Sequence, residues 1–584
     1  MDIVSWTLEN YDYSEDQPVL IDAKNPENYV TRSQAIHHVR QLVAGIWAAG
    51  LRPGDCICVL GFTTILSPIY YLGIIGSGCV IVGGNPSYTP FELAGLFNKC
   101  NVKLVLTEPK LLSKVQEAAS TSSNPKIYSL GDSSWDSLTQ HGERDWIRLS
   151  EDQAKTEISM YLSTSGTTGA PKFAAVSHTY LTATAANIEK ESATKDYQIS
   201  RLIALPIMHA FAAPLVIAVA FRTGVPTYLL SRFDADDFLD AVDRFQITDV
   251  PVVPSIMSML VQNTNMTGRQ MASLREVLSA GAVLSSDVKA QFQLVAPNSK
   301  ILSLYGQTEV GWICSTPFNR RVESEGLPSL GVPLTGYTID IWDADTGEMI
   351  TEPGVRGEIL IDGPALFLYY LNDPKATENS FTMINGRRYL RSGDIGYRDT
   401  YDDLYIIDRL KDLIKVRGWQ VSPAEVEGVI VQYPGIEDAA VVGTKDIHGH
   451  SGEIPVAFIV GVVDLISLKA YVAERLAAYK RPVEYKFISK IPRNPAGKIL
   501  RRLLLEELDA AVVPVLASPV AMKIEIDTSN VVPEKVEVDN LNIAAEKLEV
   551  TSQMSSGRRS NMMSGCFGWL KAKWNLHRNK TELI

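Results

Sequence analysis

The sequence predicts a layered α/β fold, in which mainly parallel sheets are covered by helices. Segments with apolar residues at helical spacing alternate with short apolar runs that predict strands. These runs are residues 56–60, 80–82, 102–106, 202–205, 250–253, 277–280 and 301–304. Hydrophobic residues make up 46% of the 584 residues, which is ample for a large buried core. Because alternation of this kind is typical of sheets with helices on their faces, we expect one large α/β domain.

The first helix is predicted from its start signal. Thr31 and Gln34 mark a capping box, apolar residues follow at helical spacing, and Gly50 and Pro53 end the pattern. Residues 61–91 then contain no charged residue, which by itself would suggest a membrane span. A proline and several glycines divide this stretch, so it predicts a short helix and a short strand of a buried α/β unit instead.

The composition argues against several classes of protein. The formal net charge of −12 disfavours binding to nucleic acid, which depends on clustered lysine and arginine. The six cysteines lack C-x-x-C spacing and lie mostly in apolar surroundings, which indicates core thiols in a reducing compartment. The first residues show no basic region before an apolar one, and residues 581–584 are not a Ser-Lys-Leu-type peroxisomal signal. We therefore expect a cytoplasmic protein without a transmembrane segment.

The later part of the chain changes to short strands and two helices. Ser422 and Glu425 mark a capping box with Pro423 at the first helical position, which predicts the start of one of these helices. We expect a large domain over residues 1–410 and a small one over residues 411–507.

The segment 508–584 is predicted to be disordered, because most of it is poor in aromatic residues and rich in polar ones. Residues 566–576 combine aromatic and basic side chains, which leaves two interpretations. The segment either makes peripheral contact with a membrane or, as the favoured interpretation, is an unstructured terminus without a role.

The most informative stretch is the run 161–172, Tyr-Leu-Ser-Thr-Ser-Gly-Thr-Thr-Gly-Ala-Pro-Lys. Its glycines let backbone N–H groups approach a charged ligand, and its hydroxyls and lysine add donors for phosphate oxygens. Pro171 stands before Lys172, so the run differs from the common P-loop, which needs Gly-Lys-Ser/Thr. A flexible linker is disfavoured because the apolar run 158–162 directly precedes the hydroxyls. The stretch therefore predicts binding of ATP through its polyphosphate.

Further motifs occur at 85–89 (Asn-Pro-Ser-Tyr-Thr), 305–309 (Tyr-Gly-Gln-Thr-Glu), 391–394 (Arg-Ser-Gly-Asp), 408–415 (Asp-Arg-Leu-Lys-Asp-Leu-Ile-Lys) and 492–499 (Pro-Arg-Asn-Pro-Ala-Gly-Lys-Ile). In this order, and with the run 161–172, they resemble the signatures of the adenylate-forming superfamily, and look most similar to plant coumarate ligases and their fungal relatives. The resemblance covers about residues 15 to 505. It implies the adenylate-forming enzyme fold, a large multi-layered α/β N-terminal domain with a small mobile α+β C-terminal domain.

The residues expected to hold the β- and γ-phosphates are Ser163, Thr164, Ser165, Gly166, Thr167, Thr168, Gly169 and Lys172. Glu309 is the candidate ligand for Mg²⁺, which prefers oxygen, and Thr308 is expected to contact the α-phosphate. The resemblance implies that Tyr305 and the backbone of Ala280, Gly281 and Ala282 sandwich adenine. It also places Gly306 and Gln307 in the nucleotide pocket. It implies that Asp394 accepts hydrogen bonds from both ribose hydroxyls and that Arg409 contacts ribose or phosphate.

The resemblance also implies roles for the small domain. Lys498 matches the lysine that bridges the carboxylate and the α-phosphate, and Lys411 matches the hinge about which this domain turns. Lys415 and Gln420 match positions that face the active site. The stretch that lines the tunnel for the thiol is matched by Gly418 and Trp419.

The expected walls of the acyl pocket are His209, Phe211, Ser255, Gly281, Gly306, Gly311, Trp312, Pro333 and Leu334. His209 stands where amino-acid-activating relatives have an aspartate, and burying an ammonium without that anion would be costly. An α-amino acid is therefore disfavoured. Trp312 departs from the smaller residues of coumarate ligases, so aromatic and medium-chain apolar acids both stay open.

The resemblance implies an acid–thiol ligase, an AMP-forming acyl-CoA synthetase that uses ATP, Mg²⁺ and coenzyme A. The alternatives are an adenylating enzyme that loads a carrier protein, a luciferase-type oxidation, and a non-enzymatic scaffold. The scaffold is disfavoured because Lys498, Glu309 and Asp394 are all present. The expected partners are the small carboxylic acid, ATP, CoA and an acyl-accepting downstream enzyme, with no nucleic acid.

Overall fold

The computed structural model describes residues 1–512 except residues 10, 165–170, 264, 266–269, 282, 283, 285, 320–328, 344, 345, 410–413, 418, 422, 446–451, 493–498 and 500. The predicted domain boundary at residues 410 and 411 lies outside the described residues. So does the segment from residue 513 onward, for which we predicted disorder.

Within the described residues the α-helices, numbered from α1 in chain order, are Ile3–Leu8, Arg32–Ala48, Ser67–Gly76, Pro90–Lys99, Leu112–Ser120, Ser133–Thr139, Glu151–Thr156, His178–Ser192, Ala220–Thr223, Ala235–Arg244, Pro254–Gln262, Ser286–Val295, Pro374–Asn379, Pro423–Ile430, Leu465–Arg475 and Arg501–Val512. A π-helical turn, Pro214–Val219, leads into α9. Short 3₁₀ turns occupy Pro109–Leu111 and Ala478–Lys480.

The strands of the same residues, numbered from β1 in chain order, are Pro18–Asp22, Tyr29–Thr31, Cys56–Leu60, Val80–Gly84, Val102–Thr107, Lys126–Ser129, Ile158–Thr164, Lys172–Ser177, Arg201–Ile203, Thr227–Leu229, Asp249–Val252, Glu276–Ser279, Lys300–Gln307, Gly311–Ser315, Val332–Pro333, Thr338–Asp343, Glu348–Ile350, Gly357–Asp362, Tyr369–Tyr370, Phe381–Ile384, Arg387–Arg398, Leu404–Arg409, Ile414–Val416, Trp419–Val421, Ile436–Lys445, Glu453–Gly461 and Glu484–Phe487.

The local signals of the sequence lead to the expected elements. The Thr31 side chain accepts a hydrogen bond from the N–H of Gln34, and the Gln34 side chain accepts one from the N–H of Thr31, so the capping box of α2 is confirmed. The uncharged stretch 61–91 contains α3 and β4, as predicted. None of the described helices is long and apolar enough to cross a membrane.

Two sheets with parallel centres build most of the large domain. The first has the order β19-β8-β7-β4-β3-β5-β6 and is parallel from β7 to β6. The second has the order β15-β14-β13-β12-β11-β9-β10-β1-β2 and is parallel from β13 to β1. A third sheet, β17-β16-β18-β21-β20 with β22 beside β21, is antiparallel. Because carboxyl ends of parallel strands share one edge of a sheet, the loops that follow them are brought together.

The small domain combines the hairpin β23–β24 with the sheet β25-β26-β27 and the helices α14 to α16. One core lies under α14 and α15, and a second core contains Leu504 and Leu508 of α16 with Val442 and Phe458 of the sheet. Since α16 runs to Val512, the predicted domain end at residue 507 falls inside this helix. The limits of both domains stay predictions.

We expect Leu504→Ala to lower the free energy of unfolding by about 2–5 kcal/mol, because it would leave a cavity in the core beneath α16. Leu503, its neighbour on the same helix, is 38% exposed, and Leu503→Ala should cost less than about 1 kcal/mol. Urea unfolding followed by circular dichroism measures both changes. Equal losses from the two substitutions would contradict the packing of α16.

Candidate active site

A cavity of about 640 Å³ opens where the carboxyl ends of β7, β12 and β13 meet. The predicted site residues that line it are Ser163, Thr164, Lys172, His209, Phe211, Ser255, Ala280, Gly281, Gly306, Gln307, Thr308, Glu309, Gly311, Trp312, Asp394 and Trp419. Residues that are far apart in the chain therefore meet in one place, as the strand pattern predicts.

Several predicted site residues lie outside the described part of the chain, namely Ser165, Gly166, Thr167, Thr168, Gly169, Ala282, Lys411, Gly418 and Lys498. For Arg409 and Gln420 the structure describes the backbone alone. The roles of all these residues stay predictions.

The described ends of the phosphate run meet across a hairpin. Thr164 ends β7, Lys172 begins β8, and the two residues are antiparallel partners. Lys172 Nζ lies 3.9 Å from Asp373 Oδ2 and 5.0 Å from the centre of the Tyr370 ring. The lysine charge is thus fixed beside the run that we expect to bind phosphate.

Glu309 is oriented by Tyr370, for which we had no prediction. The Tyr370 hydroxyl donates a hydrogen bond to Glu309 Oε1 at 2.5 Å. Burial, together with the nearby Glu309 charge, raises the pKa of Tyr370, so the phenol stays a neutral donor. Within the described residues no cluster of three or more acidic, histidine or cysteine side chains could hold a metal ion. Glu309 alone still fits Mg²⁺, which commonly binds through one or two carboxylates plus substrate phosphates and water.

Asp394 is buried at the centre of a hydrogen-bonded network. The Tyr305 hydroxyl and Gln307 Nε2 each donate to its Oδ2, both at 2.7 Å. Gln307 Nε2 also donates to the carbonyl oxygen of Ser392 at 3.0 Å. The network joins β13 to β21 and fixes the carboxylate that we expect to bind ribose. It also holds Tyr305, the residue expected beside adenine.

Gly306 and Gly311 allow β13 and β14 to approach closely at the cavity wall. A Cβ on Gly306 would lie 2.5 Å from the carbonyl oxygen of Gly311. Gly311 has φ +69°, in the left-handed region that favours glycine, and a Cβ there would lie 2.8 Å from Thr184 Oγ1. A side chain at either position would therefore force the wall apart.

The small domain contributes an aromatic ring to the cavity wall. On the hairpin β23–β24, the centre of the Trp419 ring lies 5.0 Å from that of His209 and 4.8 Å from that of Tyr479, on which it stacks. Desolvation lowers the pKa of His209 to about 4, although the residue keeps exposed surface and lines the cavity. The imidazole is therefore neutral at pH 7, so neither the His209 ring nor the Trp419 ring carries a charge.

Trp312 separates two cavities. Its ring centre lies 5.8 Å from that of Phe211, and its buried indole N–H has no hydrogen-bond partner in the described part of the chain. It also lines a second cavity of about 220 Å³. Pro333 and Leu334, predicted to line the main pocket, lie along this second cavity instead. The physical reason is the bulk of the indole, which fills space that a smaller residue would leave open.

The other small-domain residues are placed by the same hairpin. Lys415 on β23 is the cross-strand partner of Gln420 on β24, and its N–H donates to Glu453 Oε2 at 2.7 Å. The described hairpin residues in the cavity wall are Arg417 and Trp419. Arg409 on β22 is the strand partner of Asp394.

We also had no prediction for a polar cluster beside the cavity, which consists of Tyr88, Glu92, Glu425, Tyr479 and Lys480. One signal was present in the sequence, since Thr89 and Glu92 form a capping box at the start of α4. The contacts between the members join the two domains and could not be read from local patterns.

Comparison with known proteins gives family matches over both domains. The family model described as AMP-binding enzyme matches residues 9–371, and the model described as AMP-binding enzyme C-terminal domain matches residues 425–498. A phenylacetyl-CoA ligase of Aspergillus niger is 37% identical over 530 residues, which cover 87% of this chain and 97% of that protein. A 4-coumarate–CoA ligase of Oryza sativa subsp. japonica is 31% identical over 536 residues, covering 88% and 95%.

Among solved structures, a double mutant of the o-succinylbenzoate CoA synthetase of Bacillus subtilis, bound with a product analogue, is similar with a TM-score of 0.74. The two chains are 25% identical, and the match covers 84% of this chain and 96% of that one. The same synthetase in complex with AMP, also 25% identical and matched over 84% and 95% of the chains, gives a TM-score of 0.59. With one family model spanning more than half of the sequence and a close structural match over both domains, this chain belongs to the family of AMP-binding, adenylate-forming enzymes, as predicted.

Proposed function

We propose that the protein is an ATP- and Mg²⁺-dependent acyl-CoA ligase that activates a compact apolar acid as its acyl-AMP and transfers the acyl group to coenzyme A. CoA ligases of the AMP-binding family use these three cofactors and co-substrates, and relatives of this chain are named as such ligases. The observation that carries the proposal is the composition of the main cavity. It combines the charged Lys172 and Glu309 with the uncharged rings of Phe211, Trp312 and Trp419.

The first half-reaction brings two anions together, so it depends on positioning and on positive charge. A carboxylate oxygen attacks the α-phosphorus of ATP, the bond from that phosphorus to the β-phosphate oxygen breaks, and pyrophosphate leaves. Lys172 and the hydroxyls of Ser163 and Thr164 would hold the β- and γ-phosphates. Glu309 would hold Mg²⁺, which neutralises phosphate charge when bound. Thr308 and Lys498 are proposed to contact the α-phosphate.

In the second half-reaction the thiolate of CoA attacks the acyl carbon, the bond to the phosphate oxygen breaks, and AMP leaves. We assign the observed domain pose to this step for two reasons. Trp419, from the stretch expected to line the thiol tunnel, contacts His209 in the cavity wall. The fold also matches the product-analogue complex of the Bacillus synthetase better than its AMP complex. For the first half-reaction, a turn of the small domain about Lys411 would then remove Trp419 from the cavity and bring Lys498 into it.

The alternative acceptor, a carrier protein, is not favoured, because the relatives are named as CoA ligases. An acyl-accepting downstream enzyme stays a proposal. So does a cytoplasmic location, which is supported by the described cysteines, all of them buried and none in a disulfide bond.

The acid is proposed to be compact because Trp312 limits the main cavity. The neutral His209 offers no anion to an α-amino group, and Phe211 and Trp312 present apolar surface. Aromatic acids head the candidates, since two relatives are named for phenylacetyl-CoA and 4-coumarate–CoA formation, and medium-chain acids follow.

A panel of carboxylic acids tests this function. Pyrophosphate release is measured with ATP and Mg²⁺, with and without CoA, and products are identified by mass spectrometry. We expect compact apolar acids to give acyl-CoA and AMP. Steady pyrophosphate release without an acyl-CoA product for every acid would argue against CoA as the acceptor.

We expect Trp312→Gly to shift the preference toward longer or bulkier acids, because it would join the cavities of about 640 and 220 Å³. The expected change in discrimination is roughly 1–3 kcal/mol per methylene-sized difference, read from kcat/KM over a homologous series of acids. As a control, Trp342→Gly removes an indole from β16 of the third sheet and should leave the series unchanged. If folded Trp312→Gly protein gives the same kcat/KM values over the series of acids as the unsubstituted protein, Trp312 does not line the acyl pocket.

We expect Tyr370→Phe to raise the Mg²⁺ concentration needed for half-maximal pyrophosphate release by about tenfold or more, because Glu309 would lose the donor that orients it. The matched control is Tyr369→Phe, which removes the hydroxyl of the adjacent residue, 38% exposed. Titration of activity with Mg²⁺ at saturating ATP measures both variants. Equal Mg²⁺ requirements in the two variants would contradict the role of Glu309 as the metal ligand.

A further inference from the structure

A buried lysine joins the two domains beside the cavity. Lys480 Nζ lies 3.0 Å from Glu92 Oε1 of α4 and 2.9 Å from Glu425 Oε1 of α14. The lysine side chain is 5% exposed, and both carboxylates are 10% exposed. The large domain therefore supplies one partner of this lysine, and the small domain supplies the other.

The two carboxylates have different relations to Lys480. Val426, beside Glu425 in α14, shares one hydrophobic core with Leu476, at the end of α15 just before the Ala478–Lys480 turn. Glu425 and Lys480 therefore belong to one packed unit and stay together when the small domain moves. Glu92 belongs to the large domain, so its contact with Lys480 exists only in the observed pose.

Glu92 is fixed by its own helix before the small domain meets it. The N–H of Thr89 donates to Glu92 Oε2 at 2.9 Å, and the N–H of Glu92 donates to Thr89 Oγ1 at 3.3 Å, which completes the capping box of α4. The other carboxylate oxygen, Oε1, faces Lys480. The large domain thus presents a pre-oriented anion, and little side-chain freedom is lost when the contact forms.

The same turn carries the support for the ring in the cavity. Tyr479 precedes Lys480, its ring stacks on Trp419, and its hydroxyl accepts a hydrogen bond from Asn85 Nδ2 at 3.4 Å. Trp419 in turn contacts His209. Because Tyr479 is next to Lys480 in the chain, the contact between Lys480 and Glu92 holds Tyr479, and with it Trp419, beside the cavity.

The ionic state of the cluster supports this anchoring. Burial by itself would lower the pKa of Lys480, but Tyr88 and the carboxylates of Glu425 and Glu92 raise it above its ordinary value. The lysine stays charged, and separation from Glu92 would leave the anion of α4 without its partner. In the observed pose the pair is shielded from water, which makes the attraction between its charges stronger than between solvated ones.

We propose that the Glu92–Lys480 ion pair is an interdomain latch that holds the small domain in the pose for thioester formation, with Glu92 as a positioning residue for that step. The proposal rests on the proposed two-step function. A latch of this kind shifts the balance between two domain poses without touching the reacting atoms, and loss of it favours the other pose.

The test uses Glu92→Gln in the full chain. A glutamine keeps the capping box through its amide oxygen and turns its NH₂ group toward Lys480, so the ion pair is lost while α4 is preserved. The exposed Glu117→Gln on α5 makes the same charge change and is the control. With the best acid of the panel, we expect Glu92→Gln to slow acyl-CoA formation from supplied acyl-AMP by about tenfold, while ATP–pyrophosphate exchange is retained. Equal slowing of both half-reactions, or of neither, would overturn the proposal.

A double-mutant cycle with Lys480→Met shows whether Glu92 acts through the lysine. In the Lys480→Met background, Glu92→Gln should have no further effect on thioester formation. An additional tenfold loss would mean that Glu92 acts by another route.

A measurement that does not depend on catalysis tests the proposed latch separately from the proposed function. Protein labelled with 5-fluorotryptophan is examined by ¹⁹F NMR without ligands, and the Trp419 signal is assigned from its loss in Trp419→Phe. We expect Glu92→Gln to move or split this signal and Glu117→Gln to leave it in place. A signal unmoved in Glu92→Gln would overturn the latch even if the enzyme is a CoA ligase. If no acid gives acyl-CoA but the signal moves, the proposed function fails and the domain contact stands.

Discussion

The buried carboxylate of Asp394 is the interaction on which the arrangement of the cavity depends. A carboxylate that is 1% exposed is costly unless its oxygens accept hydrogen bonds, and here Tyr305 and Gln307 supply donors. These donors come from β13 of the nine-stranded sheet, whereas Asp394 lies on β21 of the antiparallel sheet. Its strand partner is Arg409, at the end of β22. One hydrogen-bonded position thus ties two sheets together and lies at the junction with the small domain.

The walls of the cavity suit two ligands of opposite character. Lys172 and Glu309, which both contact Tyr370, would provide charge for the proposed polyphosphate and its metal ion. Trp312 and the neutral His209 would provide rings without charge for the proposed acid. An acyl-adenylate needs both environments, since its phosphate is ionic and its acyl group is apolar. The small domain adds the ring of Trp419 to this surface, and we propose that its position decides which half-reaction the cavity can perform.

The sequence was sufficient to predict the placement of those site residues that follow a strand within a few positions. Gly281 and Gln307 could be placed because parallel strands end at the same edge of a sheet, and the capping box of Thr31 is a local pattern. Contacts between distant segments were not predictable in the same way. Tyr370 reaches Glu309 only because β19 pairs with β8, and Lys480 meets Glu92 only across the domain interface.

The placement of Pro333 and Leu334 also depends on packing between side chains. They were expected to line the acyl pocket, and in the structure Trp312 lies between the main cavity and the second cavity that they line. Volume effects of this kind depend on packing and have no periodic signal in the sequence.

Transfer of oxygen from the acid to AMP tests the central claim most directly. The acid is labelled with ¹⁸O in both carboxylate oxygens and incubated with the enzyme, ATP, Mg²⁺ and CoA, and the products are analysed by mass spectrometry. If the carboxylate attacks the α-phosphorus and the thiol then displaces AMP, each turnover leaves one ¹⁸O in AMP, one in the acyl-CoA carbonyl and none in pyrophosphate. Label in inorganic phosphate with formation of ADP, or acyl-CoA formed without label in AMP, would contradict an acyl-adenylate intermediate.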